Sequence, residues 1–158
     1  MKKATTCCFI GPQNLPKDKI EYIVMCLNQK IDILINKGIK TFITGGAFGL
    51  DQIAASLVIV KKRLGMDIRL ILVLPCKNLD GHCSVEQKKL YQNLLAEVDG
   101  LIYMSEEYTD GCMEKRDSYM VDNSAYCICA NGMEQAAKYA KQRGLTVINV
   151  LEMQTNID

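Results

Sequence analysis

The chain has 158 residues, 49% of them hydrophobic and 23% charged, with a formal net charge of +1. That length fits one domain, and a domain of this size buries roughly two thirds of its unfolded surface without disulfide or metal staples. The composition excludes a disordered chain, and the balanced charge removes the electrostatic case for a dedicated nucleic-acid or membrane-surface binder.

From the N-terminus onward, short apolar runs alternate with amphipathic ones. Thr5–Ile10 predicts a strand, and Gly11-Pro12-Gln13-Asn14 after it reads as a turn. Ile20, Ile23, Val24, Leu27, Ile31 and Leu34 then recur at helical spacing, and Lys37-Gly38 ends that helix. A strand over Thr41–Thr44 leads through a glycine-rich turn to a second stripe, Leu50, Ile53, Ala54, Leu57 and Leu64, closed by Gly65. The next strand is Ile68–Leu74. Ser84 is placed to cap a third helix carrying Val85, Tyr91, Leu94, Leu95 and Val98. Strands over Gly100–Met104, Ala125–Ala130 and Thr146–Val150 complete the set. A helix over Met113–Val121 and another through Met133, Ala136, Ala137 and Ala140 separate them.

Strands apolar on both faces, each followed by a helix, predict an α/β fold. The expected architecture is a three-layer Rossmann-like domain over residues 1–158, with a mainly parallel sheet and helices on both faces. The longest apolar stretches fall well short of the roughly 20 residues that span a bilayer. Met1-Lys2-Lys3 is followed by only a brief apolar run before Gly11-Pro12, so neither a membrane nor a secretory segment is expected. The eight cysteines form no CxxC pair, and His82 is the one histidine. Buried, reduced thiols, no metal site and a cytoplasmic location follow as expectations.

In a parallel sheet every loop leaving a strand's carboxyl end lies on one edge, where ligands bind. Thr44-Gly45-Gly46-Ala47-Phe48-Gly49 is the most informative of these loops. Glycines let backbone N–H groups converge, and the helix behind adds unpaired donors and partial positive charge, which together suit a phosphate. A tight turn that needs glycine for its own geometry explains the same residues. The loop is neither a Walker A motif nor GxGxxG. Asp51 either contacts a ribose hydroxyl or simply complements the helix N-terminus, where an acid gains about 0.3–1 kcal/mol. Gly11, with Gln13 and Asn14 beside it, suits a base edge or a turn. Lys77 suits a phosphate or solvent. Arg116 suits a bidentate phosphate clamp, or pairing with Glu114 and Asp117 on a wet face. Asn131-Gly132 forms the last loop of the edge. No serine has a histidine partner for a triad, and the seven tyrosines form no stacking ladder.

The order of motifs carries a resemblance. Cys8-Phe9-Ile10-Gly11-Pro12, the run Phe42 to Asp51 with its Gly-Gly-Ala-x-Gly-x-Asp core, Leu74-Pro75-Cys76, and Arg116-Asp117-Ser118-Tyr119-Met120-Val121-Asp122 follow one another. Together they resemble the YpsA-like branch of the SLOG superfamily, relatives of the DNA-processing protein DprA and of the LOG phosphoribohydrolases. The resemblance implies a Rossmann-like domain that binds a nucleotide or nucleotide-derived ligand at the glycine turn. Gly45, Gly46, Ala47, Gly49 and Asp51 then match the first ligand loop, Arg116 the family arginine, and Pro75-Cys76 the third loop. Three departures stand out. The second glycine loop, usually Gly-Gly-Thr, here reads Ala130-Asn131-Gly132-Met133-Glu134. Asp117 stands where asparagine usually follows the arginine, and Leu79 and Cys83 replace a glutamine and a tryptophan. The LOG catalytic motif is absent, with Glu134 the only acid near its place.

The leading reading is a sensor or regulatory domain binding a nucleotide such as NAD, ADP-ribose or a nucleoside phosphate. Its ligand-binding residues are Gly11, Thr44, Gly45, Gly46, Ala47, Gly49, Asp51, Lys77, Arg116, Asn131 and Gly132. No catalytic residue and no further cofactor are assigned. A homo-oligomer is compatible with this reading. One alternative is a hydrolase of phosphoribohydrolase type, with Asp51, Asp117 and Glu134 as candidate carboxylates. Another is DprA-like binding of single-stranded DNA through Lys61, Lys62, Arg63, Lys88 and Lys89, residues that equally suit solvated helix faces.

Overall fold

A computed structural model describes residues 1–78, 83–132 and 134–151. Six strands appear where the apolar runs place them: β1 (Thr6–Ile10), β2 (Thr41–Thr44), β3 (Arg69–Leu74), β4 (Gly100–Tyr103), β5 (Tyr126–Cys129) and β6 (Thr146–Asn149). Five helices connect them: α1 (Ile20–Asn36), α2 (Leu50–Arg63), α3 (Val85–Leu95), α4 (Cys112–Asp122) and α5 (Gln135–Gln142). The strands form one sheet of order β4-β3-β2-β1-β5-β6, and every pairing is parallel. The expected Rossmann-like α/β fold is what the chain adopts, and its sheet is parallel throughout.

Alternation along the strands sorts the core into two layers. Cys7, Phe9, Phe42, Leu70 and Leu72 face α1, α2 and α3, which contribute Ile23, Leu27, Leu50, Val58 and Leu94. Cys8, Ile10, Ile43, Val73 and Cys127 face α4 and α5, which contribute Met120, Val121, Ala137 and Ala140. Phe9 and Phe42 stack across β1 and β2 with ring centroids 5.8 Å apart. All eight cysteines are free thiols, and six of them are buried. Among the described residues no helix is long and apolar enough to cross a membrane.

The connections fix where a ligand can enter. From β1 the chain steps outward through β2 and β3 to β4, with its helices on one face. It then returns through α4 on the other face to place β5 on the far side of β1. The carboxyl ends of β1 and β5 therefore flank the point where the strand order reverses, the crevice that such sheets use for ligands.

The basic run at the end of α2 is a set of struts. The Lys61 side chain is 7% exposed, 2.6 Å from the half-exposed Asp32 carboxylate, and donates to Asn28 Oδ1 at 2.7 Å. Lys62 pairs with Asp99 at 2.6 Å, and Arg63 pairs with Glu97. Lys61 is thus no solvated face residue, and it ties α1 to α2. Lys61→Ala should lower stability by about 1–2 kcal/mol in urea denaturation, the low end for a broken buried pair because Asp32 regains water. An unchanged midpoint would show that the strut does nothing.

Candidate functional site

At the switch point lies a crevice of about 360 Å³. Gly11, just past β1, forms one wall. The first turns of α4 supply Glu114, Asp117 and Ser118, and the turn into α5 supplies Glu134 and, one helical turn on, Tyr139. Glu114, Asp117 and Ser118 share a face because residues three and four apart on a helix line up. Among the described residues the crevice is lined by three acids and no lysine or arginine.

Glu134 is the most unusual group in the crevice. It caps α5 with its backbone, while its side chain makes no capping bond. Both carboxylate oxygens are buried, with no hydrogen-bond partner among the described residues. Leaving buried acceptors unpaired is costly, which makes this carboxylate an unsatisfied acceptor facing the crevice. Close by, the Cys129 thiol donates to Asn149 Oδ1 at 2.7 Å. Burial, reinforced by the neighbouring Glu134, pushes that thiol up to about 12. It stays protonated at neutral pH and is no nucleophile.

A second cluster adjoins the crevice through one ion pair. Arg116 is 8% exposed, and all three of its donor nitrogens are engaged. Nε bonds Asp117 at 2.7 Å, Nη1 donates to the Gly45 carbonyl at 3.0 Å, and Nη2 lies 3.8 Å from Met113 Sδ. Gly45 is required for this approach, since a Cβ there would lie 2.6 Å from Nη1. Arg116 thus holds the glycine turn onto α4 and pairs with Asp117, as its sequence context allows, but in a buried position.

The glycine turn itself is directed inward. The Gly46 N–H donates to Thr44 Oγ1 at 3.2 Å, and the Leu50 N–H to the Pro12 carbonyl at 3.4 Å. Asp51 is 6% exposed, and its Oδ1 has no hydrogen-bond partner among the described residues. Burial raises its carboxyl from 3.8 to about 7, against the downward pull of Arg116 and of hydrogen bonds from the Ala47 and Gly45 amides, with Asp117 adding to the rise. Of the amides in this turn, that of Gly46 is thus engaged by the protein's own Thr44.

The sequence-derived candidates fall into three places. Gly11 lines the crevice, with the Asn131-Gly132 turn leading into Glu134. Thr44, Gly45, Gly46, Ala47, Gly49, Asp51 and Arg116 form the inward cluster. Lys77 stands apart, in a recess at the ends of β3 and β4. Leu79, His82 and Met133 lie outside the described residues. Glu114, Ser118 and Tyr139 were not singled out from sequence as ligand residues. The polar spacing of 114, 117 and 118 was the available signal, since the helix after β4 must cross back over the β1 edge.

A parallel sheet with a crevice at its reversal point, and a glycine-rich turn between β2 and α2, defines a Rossmann-like α/β protein. The chain belongs to the YpsA family, described as the YspA SLOG family, whose profile residues 10–150 match. It is 32% identical to the SPbeta prophage-derived protein YoqJ of Bacillus subtilis (strain 168) over 130 residues, 71% of this chain and 76% of that one. It is 27% identical over 150 residues to a UPF0398 protein of Macrococcus caseolyticus (strain JCSC5402), covering 92% and 80% of the two chains. Among solved structures, the DNA processing protein A of Helicobacter pylori superposes with a TM-score of 0.63 at 18% identity, over 96% of this chain and 66% of that one. DprA from Streptococcus pneumoniae gives 0.62 at 14% identity, over 90% and 48%. The chain thus spans just under two thirds of the first and about half of the second, and these two likenesses concern the fold.

Proposed function

We propose that the crevice between β1 and β5 binds a nucleotide-derived ligand of low negative charge, a nucleoside, a nucleoside monophosphate or an ADP-ribose-like molecule, as a sensor or regulatory site. The observation that carries this is the buried, unpartnered Glu134 carboxylate at a crevice of about 360 Å³. A volume in that range takes a small organic ligand. Ribose hydroxyls are donors of the kind two orphaned carboxylate oxygens accept. The N-terminal turns of α4 and α5 offer partial positive charge to a single phosphate. Three lining acids oppose a polyphosphate. The glycine turn supports the site from behind, with Arg116 and Asp117 as the link.

Single-stranded DNA, which the Helicobacter protein binds, is a weaker reading for this chain. The crevice is acidic, and Lys61, Lys62 and Arg63 are each matched by an acid.

A thermal-shift series with adenosine, AMP, ADP-ribose, NAD and ATP tests the proposal, since a ligand that binds only the folded form raises the midpoint by mass action. AMP and ADP-ribose should shift it, and ATP should shift it least. Glu134→Ala should weaken AMP by about 10- to 100-fold, the worth of charge-assisted hydrogen bonds. The same variant without ligand should be no less stable, because it removes an unpaired buried carboxylate. No shift with any compound at millimolar concentration would refute the site.

A further inference from the structure

We infer that a second recess on the same sheet edge, separate from the crevice, binds an aromatic carboxylate. It lies where β3 and β4 end and measures about 230 Å³. Leu74 and Tyr91 form its buried floor, Leu95 and Tyr103 its walls, and Lys77 and Lys88 stand among the lining side chains. No lining residue is shared with the crevice, and none of those described is an acid. The described lining of the crevice thus holds acids, and that of the recess holds lysines.

The lining specifies the ligand's chemistry. Leu95 is 41% exposed and Tyr103 37%, so the recess presents apolar and aromatic surface to solvent beside its buried floor. A planar apolar body covers that surface and gains burial in proportion to its area. Tyr91 is fixed in place, its hydroxyl 3.3 Å from Gln87 Nε2 and its ring against the Gly46 turn. Lys77 Nζ sits 5.8 Å from the Tyr103 ring centroid, so charge and aromatic face are already adjacent. Glu106 pairs with Lys77 at 3.0 Å from outside the recess, and both side chains are more than half exposed. Such an exposed pair is weak and exchanges readily for a ligand carboxylate that brings apolar contact with it. A volume of this size holds a bicyclic ring with one small substituent and excludes a whole nucleotide.

The probe is 2-naphthoate, titrated while backbone amide NMR signals are followed, with neutral 2-naphthamide as its comparator. Saturable one-to-one binding is expected, with the largest shifts at Tyr103, Lys88 and Leu95, and the amide should bind more weakly. The variant Lys77→Gln should lose about threefold in affinity, the worth of one exposed charge, with its thermal midpoint held. Should that variant not fold, Tyr103→Ser carries the same test, and weakened naphthoate binding again supports the site. The assignment is overturned by no saturation, by shifts at Ser118 and Gln135 instead, by equal binding of the neutral amide, or by unchanged affinity in the folded variant.

Discussion

Gly49→Ala should lower stability by about 4 kcal/mol, and the thermal midpoint by roughly 8–16 °C for a chain of this size. Gly49 has φ +84° and ψ −129°, a conformation that side chains other than glycine rarely enter. A Cβ there would lie 2.3 Å from the Pro12 carbonyl oxygen and 2.6 Å from that of Gln13. Both are backbone atoms, so no rotamer change relieves the clash. Gly65→Ala is the control: its φ is +96°, and a Cβ would meet nothing within 4 Å. It should cost only about 1–2 kcal/mol, the penalty of the left-handed conformation. Equal losses at the two positions would mean that the contact between the glycine turn and the β1 loop contributes nothing. That contact also borders the crevice, because the Pro12 carbonyl that accepts from Leu50 follows directly on Gly11 at its wall.

Stability should fall as pH rises from about 4 to about 7, then level off, and Asp51→Asn should abolish most of that slope. The Asp51 carboxyl has a folded-state value near 7 against 3.8 unfolded. Between those values the folded protein holds a proton that the unfolded chain has released. Stability is therefore fully present below pH 3.8 and is lost through this window. A shift of that size corresponds to on the order of 4 kcal/mol. Asp51→Asn should consequently be more stable than the parent at pH 8 by that order, and equal to it at pH 3.5. Burial, the largest cause of the shift, is what the substitution relieves, while Arg116 keeps its partner Asp117. Urea midpoints across the pH series decide the matter, and a variant less stable at pH 8 would show the ionised carboxylate to be a net stabiliser.

The sheet was legible because its strands are apolar on both faces and its helices carry clean stripes. Thr41–Thr44 coincides with the observed strand, and the other five differ by one or two end residues. Those ends depend on hydrogen-bonding partners that periodicity does not encode. The site was less legible for a physical reason. A glycine-rich strand-to-helix turn has the same composition whether its amides face a guest or the protein. Here Thr44 Oγ1 takes the Gly46 amide and the Pro12 carbonyl the Leu50 amide, and only the three-dimensional path of the turn reveals it. Arg116 is the same case, since its sequence allows a phosphate clamp or a pair with Glu114 and Asp117, and only the fold brings Gly45 beneath it. Glu134 was noted for its position, but its significance lies in burial without a partner, which no spacing shows.

The most direct measurement is a crystal structure of the chain grown with millimolar AMP. The account predicts one nucleotide between Gly11 and α5, its ribose hydroxyls within hydrogen-bond distance of Glu134 and its phosphate near the first turns of α4 and α5. A nucleotide seated on the Gly45–Gly49 turn with Asp51 displaced, or no nucleotide at that edge, would contradict it.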